Sequence, residues 1–358
     1  MQDVLFIPLS IDEPLKIIQR KIQKIYQLTG VNSRIEKNDF VAIKIHFGEK
    51  GNKTHIPATY LAPLSKAVEE AGGIPFVTDT NVLYKSARSN AVSHLKLAQG
   101  HGFTVANCGA PVIITDGLRG SNEVEVGIDG EIFDRVSIAT EAVTSNAMIV
   151  MTHVTGHIET GMGGALKNLG MGLASRKGKL RQHSSVKPWV EEENCTQCGL
   201  CIEWCPEDAI EMMETSALIH DDKCIGCGEC LTVCRFSAVK FNWKTSGAEL
   251  QKKIAEHALG AVQNKRDKTA YLNFLINITK DCDCFGRAQD PVIPDIGILA
   301  GTDPVAVDQA SLDMIQQRSN RSMADLSYPD TDATVQLQHA EKIALGERRY
   351  QLKEIDLS

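Results

Sequence analysis

Apolar positions along the chain recur with two periods, and their alternation sketches the elements. Residues 4–9 form a short apolar run bounded by Pro8 and polar residues, which predicts an opening strand. Residues 14–28 carry Leu15, Ile18, Ile22 and Ile25 at helical spacing, with Gly30 as a stop. Residues 40–47 are apolar and β-branched, as a buried strand is. The pattern then predicts a helix over 58–71 ending at Gly72-Gly73, a strand over 74–77, a helix over 87–99, and strands over 112–115 and 146–151. A further helix is predicted over 164–173. The rhythm breaks at residues 176–188, which read as a polar, basic linker. It resumes after Trp243 with a helix over 248–259, strands over 271–278 and 296–299, and a helix from Pro304 that Thr302 or Asp303 can cap. A last helix over 334–345 is expected to stop at Gly346.

Strand and helix alternating in this way predict an α/β fold: a mostly parallel sheet with helices on both faces. Residues 188–244 do not share the rhythm. We expect one α/β domain over 1–187 and 245–358, interrupted by a small α+β ferredoxin-like insert over 188–244.

Charge sharpens this division. The insert holds eleven acidic and four basic residues, so it carries the whole formal charge of −7 and leaves the remainder neutral. An acidic module of this kind suits docking to a basic redox partner protein or plain solvation, and it argues against nucleic acid. No apolar run is long enough for a membrane span, and the first residues lack the basic start of a signal peptide. Eleven cysteines in a chain of this length, eight of them in metal-type runs, point to a reducing compartment, most simply the cytoplasm.

Those eight cysteines form an internal repeat. Cys195, Cys198, Cys201 and Cys205 have the spacing C-x2-C-x2-C-x3-C, and Cys224, Cys227, Cys230 and Cys234 repeat it 29 residues later. Three closely spaced thiolates can wrap one cubane while the fourth projects to the other. The expectation is two 4Fe-4S clusters. Cys195, Cys198, Cys201 and Cys234 would hold one, and Cys224, Cys227, Cys230 and Cys205 the other. Zinc sites use separated pairs or Cys/His mixtures instead. Gly199, Gly226 and Gly228 let backbone approach the sulfurs.

Outside the insert, residues 153–170 follow a strand and lead into a helix. Gly161, Gly163 and Gly164 with Lys167 and Asn168 read as a loop able to cradle an anionic small molecule or cofactor, or as a tight turn. The run lacks the P-loop and dinucleotide fingerprints. His153 and His157 are candidate metal ligands, capping groups or substrate contacts. Asp281-Cys282-Asp283-Cys284, after another strand, could bind a further metal or do redox work, with Cys108 or the histidines completing a site. Otherwise Cys282 and Cys284 are thiols of a structural loop. Lys44, His46, Asp79, Thr80 and Asn81 fall at strand ends, with Arg88 and His94 on the helix that follows. The basic run through Arg176, Lys177, Lys179 and Arg181 could pair with the acidic module or with an anion.

Taken together, residues 153–172, Ser175-Arg176-Lys177-Gly178-Lys179, the eight cysteines, residues 281–284 and Gly301-Thr302-Asp303-Pro304-Val305-Ala306-Val307-Asp308 resemble the uncharacterised iron–sulfur centre proteins. In these, a domain of unknown function is interrupted by a ferredoxin module. The resemblance covers nearly the whole chain and implies an α/β domain with anaerobe-type redox metabolism. It also places a cysteine where this chain has Leu173. Two readings follow. One is a redox protein, an oxidoreductase if a substrate is turned over, that relays electrons to a ligand or cofactor site on the α/β domain. The other is a non-enzymatic electron carrier or assembly factor.

Overall fold

The continuous apolar runs become strands of one eight-stranded sheet in the computed structural model. The structure describes residues 2–84, 86–183, 187–224, 226, 228–241 and 247–357. In chain order the strands are β1 (Gln2–Pro8), β2 (Phe40–Lys44), β3 (Ile74–Asp79), β4 (Val112–Ile114), β5 (Ala147–His153), β6 (Thr269–Leu275), β7 (Gly297–Gly301) and β8 (Tyr350–Glu354). Their order across the sheet is β8-β1-β7-β6-β5-β2-β3-β4. Every neighbouring pair is parallel except those made by β7, which runs against both β1 and β6.

Both faces of the sheet are buried, which is why its strands read as unbroken apolar runs. On β1, Val4 and Phe6 enter one core while Leu5 and Ile7 enter the other. On β5, Met148 and Val150 face the first core, and Ala147, Ile149 and Met151 the second. Each such buried side chain contributes about 1.5–3 kcal/mol. Helices α1 (Leu15–Leu28) and α2 (Ala62–Glu70) cover the second face, through Ile18, Ile22, Ile25, Leu64 and Val68. The first is covered by α4 (Ala165–Gly170), α6 (Gly247–Val262), α7 (Pro304–Ser319) and α8 (Val335–Lys342). Helix α3 (Ala91–Gly100) follows β3. Asp303 caps α7, accepting from the N–H groups of Val305 and Ala306 at 2.8 and 3.0 Å.

Several expectations need correction. Residues 176–183 are not linker but helix α5 (Arg176–His183), with Arg176, Gly178, Lys179, Leu180 and Gln182 buried. Its basic residues have local partners: Lys179 Nζ donates to Thr80 Oγ1 and to the Ala174 carbonyl, both at 2.6 Å. Lys177 pairs at 2.7 Å with Glu125, on a hairpin of Glu123–Gly127 and Arg135–Ala139, and Arg176 and Lys177 also lie close enough to Glu229 of the acidic module to interact with its charge. Helix α3 starts later than expected because the Asn90 side chain caps it, accepting from the Ser93 N–H at 3.1 Å; Arg88 therefore precedes the helix. Strand β2 ends at Lys44, where the chain turns off the sheet. Gly346 does not stop α8. Ala344 takes the left-handed turn at φ 55°, and a Cβ on Gly346 would sit 2.1 Å from the Asp303 carboxylate.

Residues 188–241 lie off the large sheet. They contain two two-stranded ribbons, Trp189–Val190 with Val239–Lys240 and Ile210–Met212 with Ala217–Ile219, and two short helices, Leu200–Glu203 and Glu229–Val233. The 29-residue repeat is also a repeat of backbone conformation. Gln197, Gly199 and Asp208 have φ of 57°, 75° and 48°, and Gly226, Gly228 and Ser237 have 69°, 77° and 56°. No helix among the described residues is long and apolar enough to cross a membrane.

Candidate functional site

Consecutive strands β2, β3 and β4 extend the sheet one way, while β5 and β6 extend it the other. The order therefore reverses between β2 and β5, and the carboxyl ends of strands at such a point bound a crevice. A cavity of about 200 Å3 opens there, lined by Lys44, His46, Asp79, Thr80, His153, His157, Lys167, Asn168 and the segment Cys282–Cys284. Its apolar wall is Val82, Leu83, Met151, Met171, Leu250 and Ile254. These polar residues come from five separate stretches of chain, which only the sheet brings together.

The charges are individually placed. Lys44 is fully buried, pairs with Asp79 at 3.1 Å and donates to Asn168 Oδ1 at 2.7 Å. Asn168 in turn donates to the Met151 carbonyl at 2.9 Å and to Thr152 Oγ1 at 3.0 Å, tying α4 to the end of β5. Burial alone would raise the Asp79 carboxyl, but Lys44 and the cations around it hold it well below the usual range. Arg88 donates to Glu49 at 3.1 Å and lies 2.8 Å from His46 Nε2. Burial and Arg88 keep His46 neutral.

His153 is closed to metal ligation. Its Nδ1 faces Asp283 Oδ2 at 2.8 Å and its Nε2 faces the Ile276 carbonyl at 2.9 Å, so both nitrogens donate. Burial opposes its charge, but Asp283 and the carbonyls outweigh burial and raise its pKa. His157 differs. Its Nδ1 accepts from the N–H groups of Glu159 and Thr160 at 3.2 Å, which leaves the proton on Nε2. Burial, then Lys167 and His183, hold its pKa well below the ordinary value. Lys167 has no hydrogen-bond or ion-pair partner among the described residues. Burial, then Arg88, brings its pKa down to about 8.

The glycine loop works otherwise than as an anion cradle. The N-terminus of α4 is already capped from within, because Asp308 accepts from the Ala165 N–H at 2.7 Å and the Leu166 N–H at 2.9 Å. A Cβ on Gly164 would lie 2.5 Å from that carboxylate, so the glycine admits Asp308. Gly163 and Gly164 line the cavity, whereas Gly161, at φ 69°, packs against Thr331 and Ala333. Asn81 is held by Asp116, and His94 is buried in α3 at 3.9 Å from Asp79; neither lines the cavity.

Cys282 and Cys284 are joined to each other as a disulfide. One potential ligand atom from each, with one from His157, lie within 4.8 Å of one another, a grouping of the kind that can hold a metal ion. Cys108 takes no part: it is buried elsewhere, against Ser65, and its thiol is pushed up to about 11 by burial. Leu173 is fully buried in the core and is not among the residues that line the cavity. Sequence reasoning missed Leu250 and Ile254, and it put Lys179 and His183 in a basic linker rather than on a helix that lines the cavity. They come from α5 and α6, the helices on either side of the cysteine-rich segment.

Within that segment the cysteines gather at two hollows. One is walled by Cys195, Cys198, Cys201 and Cys234. The other is walled by Cys205, Cys224 and Cys230; Cys227 lies outside the described residues. Backbone N–H groups point at sulfur in matching places. Ala209 donates to Cys205 and Ala238 to Cys234, each at 3.2 Å, and Gly226 to Cys224 at 3.4 Å.

Fold and site thus define an α/β protein with a charged cavity at the switch point of its sheet and a cysteine-rich segment rooted beside it. The chain belongs to the family of the domain of unknown function DUF362, whose model matches residues 41–313. A comparison with curated proteins finds no match. Among solved structures, the lactate racemase apoprotein from Thermoanaerobacterium thermosaccharolyticum is similar at 11% identity and a TM-score of 0.43, over 89% of this chain and 58% of that one. A protein from Thermotoga maritima is similar at 10% identity and a TM-score of 0.44, over 87% of this chain and 60% of that one. The chain thus spans less than two thirds of either, and the likeness concerns fold alone.

Proposed function

We propose that this chain is an iron–sulfur redox protein, in which residues 188–244 carry two 4Fe-4S clusters and relay electrons to a site in the cavity of the α/β body formed by residues 1–187 and 245–358. The observation that carries the reading is the pair of hollows. Each gathers cysteines from both repeats, in the crosswise sets that two cubanes need, and backbone N–H groups already point at the sulfurs. Bound clusters would supply one-electron chemistry at low potential. The route is short. Gly228 lines the second hollow and lies against Leu180, with only 3.0 Å from its Cβ position to Leu180 Cδ2. Leu180 belongs to α5, whose Lys179 and His183 line the cavity, so a span of roughly one helix diameter, ~10 Å, separates the two.

Lys167 suits an anionic ligand, since it lines the cavity with no direct ion-pair partner among the described residues, Asp283 and Glu159 acting on it only from further off. The test is anaerobic reconstitution with iron and sulfide analysis, followed by electron paramagnetic resonance of the reduced protein. About eight irons per chain and two reducible cubanes are expected. A protein that takes up zinc at these cysteines, or no metal, refutes the reading. The carrier alternative draws support from the acidity of the segment and from exposed Trp189, Trp204 and Phe236 on it. It predicts that electron transfer to a partner survives replacement of Lys167 and His157.

A further inference from the structure

The cavity holds a group the relay reading leaves unused. Cys282 and Cys284 are disulfide-bonded, whereas Cys108, Cys195, Cys198, Cys201, Cys205, Cys224 and Cys234 are thiols outside any disulfide. Cys282 is buried, and both residues line the cavity. A disulfide this local closes almost no loop and contributes little entropic stabilisation, so a structural role explains it poorly. A disulfide among otherwise free thiols is more often catalytic or redox-sensing.

The loop around the pair is fastened independently of the S–S bond. Asp283, between the two cysteines, accepts from His153 at 2.8 Å, Thr54 at 3.0 Å and Asn52 at 3.2 Å. The Asp283 carbonyl accepts from the Glu49 N–H at 2.9 Å, and the Phe285 N–H donates to the Cys282 carbonyl at 3.0 Å. On the preceding residue, Asp281 is held by Arg287 at 2.5 Å and by the Tyr328 hydroxyl. Opening the disulfide therefore leaves the backbone of the loop in place, and the two sulfurs need part only by side-chain rotation, as a reversible couple requires.

His157 decides between a metal site and a redox pair. A metal-bound imidazole donates its other N–H to an acceptor. Here Nδ1 accepts two backbone N–H groups, so Nε2 carries a proton and is a donor toward the cavity. A protonated nitrogen near two sulfurs suits hydrogen bonding to a thiolate and opposes coordination of a cation.

We propose, resting on the relay reading above, that Cys282–Cys284 is a reversible two-electron centre of the cavity, reduced by a low-potential one-electron donor of the iron–sulfur class. In the reduction the S–S bond breaks, the sulfurs take up two electrons delivered singly, and two protons enter from solvent to give two thiols. Reoxidation reverses each change: the dithiol loses two electrons and two protons and the S–S bond reforms. The Nε2–H of His157 stabilises the thiolate first released.

The experiment uses the reconstituted holoprotein and its Cys282→Ser/Cys284→Ser variant under argon. Dithionite is added in steps, electron equivalents are counted, the cubanes are followed by electron paramagnetic resonance, and thiols are alkylated and located by peptide mass spectrometry. In the native protein, Cys282 and Cys284 should resist label when oxidised and take it when reduced. The titration should consume two electron equivalents more than the variant, with the cubane signals alike in both. Label on both cysteines in the oxidised protein, or a non-cluster metal lost in the variant, overturns the proposal. So does a pair that stays unlabelled once the cubanes are reduced. Absence of cubane signals in either protein sinks the relay reading instead. In that case dithiothreitol in place of dithionite decides whether the pair is reducible: two labelled thiols uphold the couple, and none refutes it.

Discussion

Replacing Asp283 by Asn removes one buried charge beside the disulfide while keeping the shape of the side chain. In the native protein the carboxylate faces His153, Thr54 and Asn52 at 2.8–3.2 Å. Its pKa is depressed: burial pushes upward, but His153 outweighs it. The pKa of His153 is raised. A depressed carboxylate contributes stability above its ordinary value and loses it on acidification. A raised imidazole contributes fully below its ordinary value and loses it as pH climbs through the raised one. Both contributions are in place between about pH 4 and pH 6.5. Within that window Asp283→Asn leaves an imidazolium against an amide, and breaking a buried pair from one side costs about 3–5 kcal/mol. At higher pH the imidazole can release its Nδ1 proton, accept from the new amide and keep its Nε2–H on the Ile276 carbonyl. The loss should then shrink to about 1–2 kcal/mol. Urea unfolding at about pH 5.5 and about pH 9 tests the difference. Far-UV circular dichroism is the signal to follow, because Trp189, Trp204 and Trp243, the only tryptophans, all fall in the cysteine-rich segment. Equal losses at the two pH values, or less than about 1 kcal/mol at the lower one, refute a buried imidazolium at His153.

Three further outcomes are expected. Lys167→Met should weaken binding of a small carboxylate about tenfold, roughly 1.4 kcal/mol. In the native protein that binding, read by calorimetry, should fade as pH rises through about 8, where the ammonium is lost. Cys205→Ser should disturb the cubane of the second repeat and leave the first intact by electron paramagnetic resonance; the reverse pattern would exclude crosswise ligation. Gly228→Ala places a Cβ 3.0 Å from Leu180 at a residue with φ of +77°. It should cost about 1–2 kcal/mol and slow electron transfer to the cavity, and an unchanged rate would remove Gly228 and Leu180 from the route.

Local spacing alone was enough for the cysteine repeat, for most strands of the sheet and for a helix start at Pro304 capped by Thr302 or Asp303, because each is set by residues a few positions apart. The unbroken apolar runs of β1 and β5 fit a sheet buried on both faces. The sequence could not reveal that residues 176–183 form a buried helix. Their charge reads as solvent-facing until Thr80 and Glu125 arrive as partners from elsewhere in the chain. Nor could it separate an anion cradle from an internal cap at Gly164, since Asp308 lies 144 positions away along the chain and meets the loop only in the folded sheet. The pairing of Cys282 with Cys284, the fastening of Asp283 by His153 and the isolation of Lys167 are likewise tertiary facts. Sequence names the groups that can carry charge or electrons. The switch point between β2 and β5 decides which of them share one small space, and there proximity and burial, rather than residue type, set their chemistry.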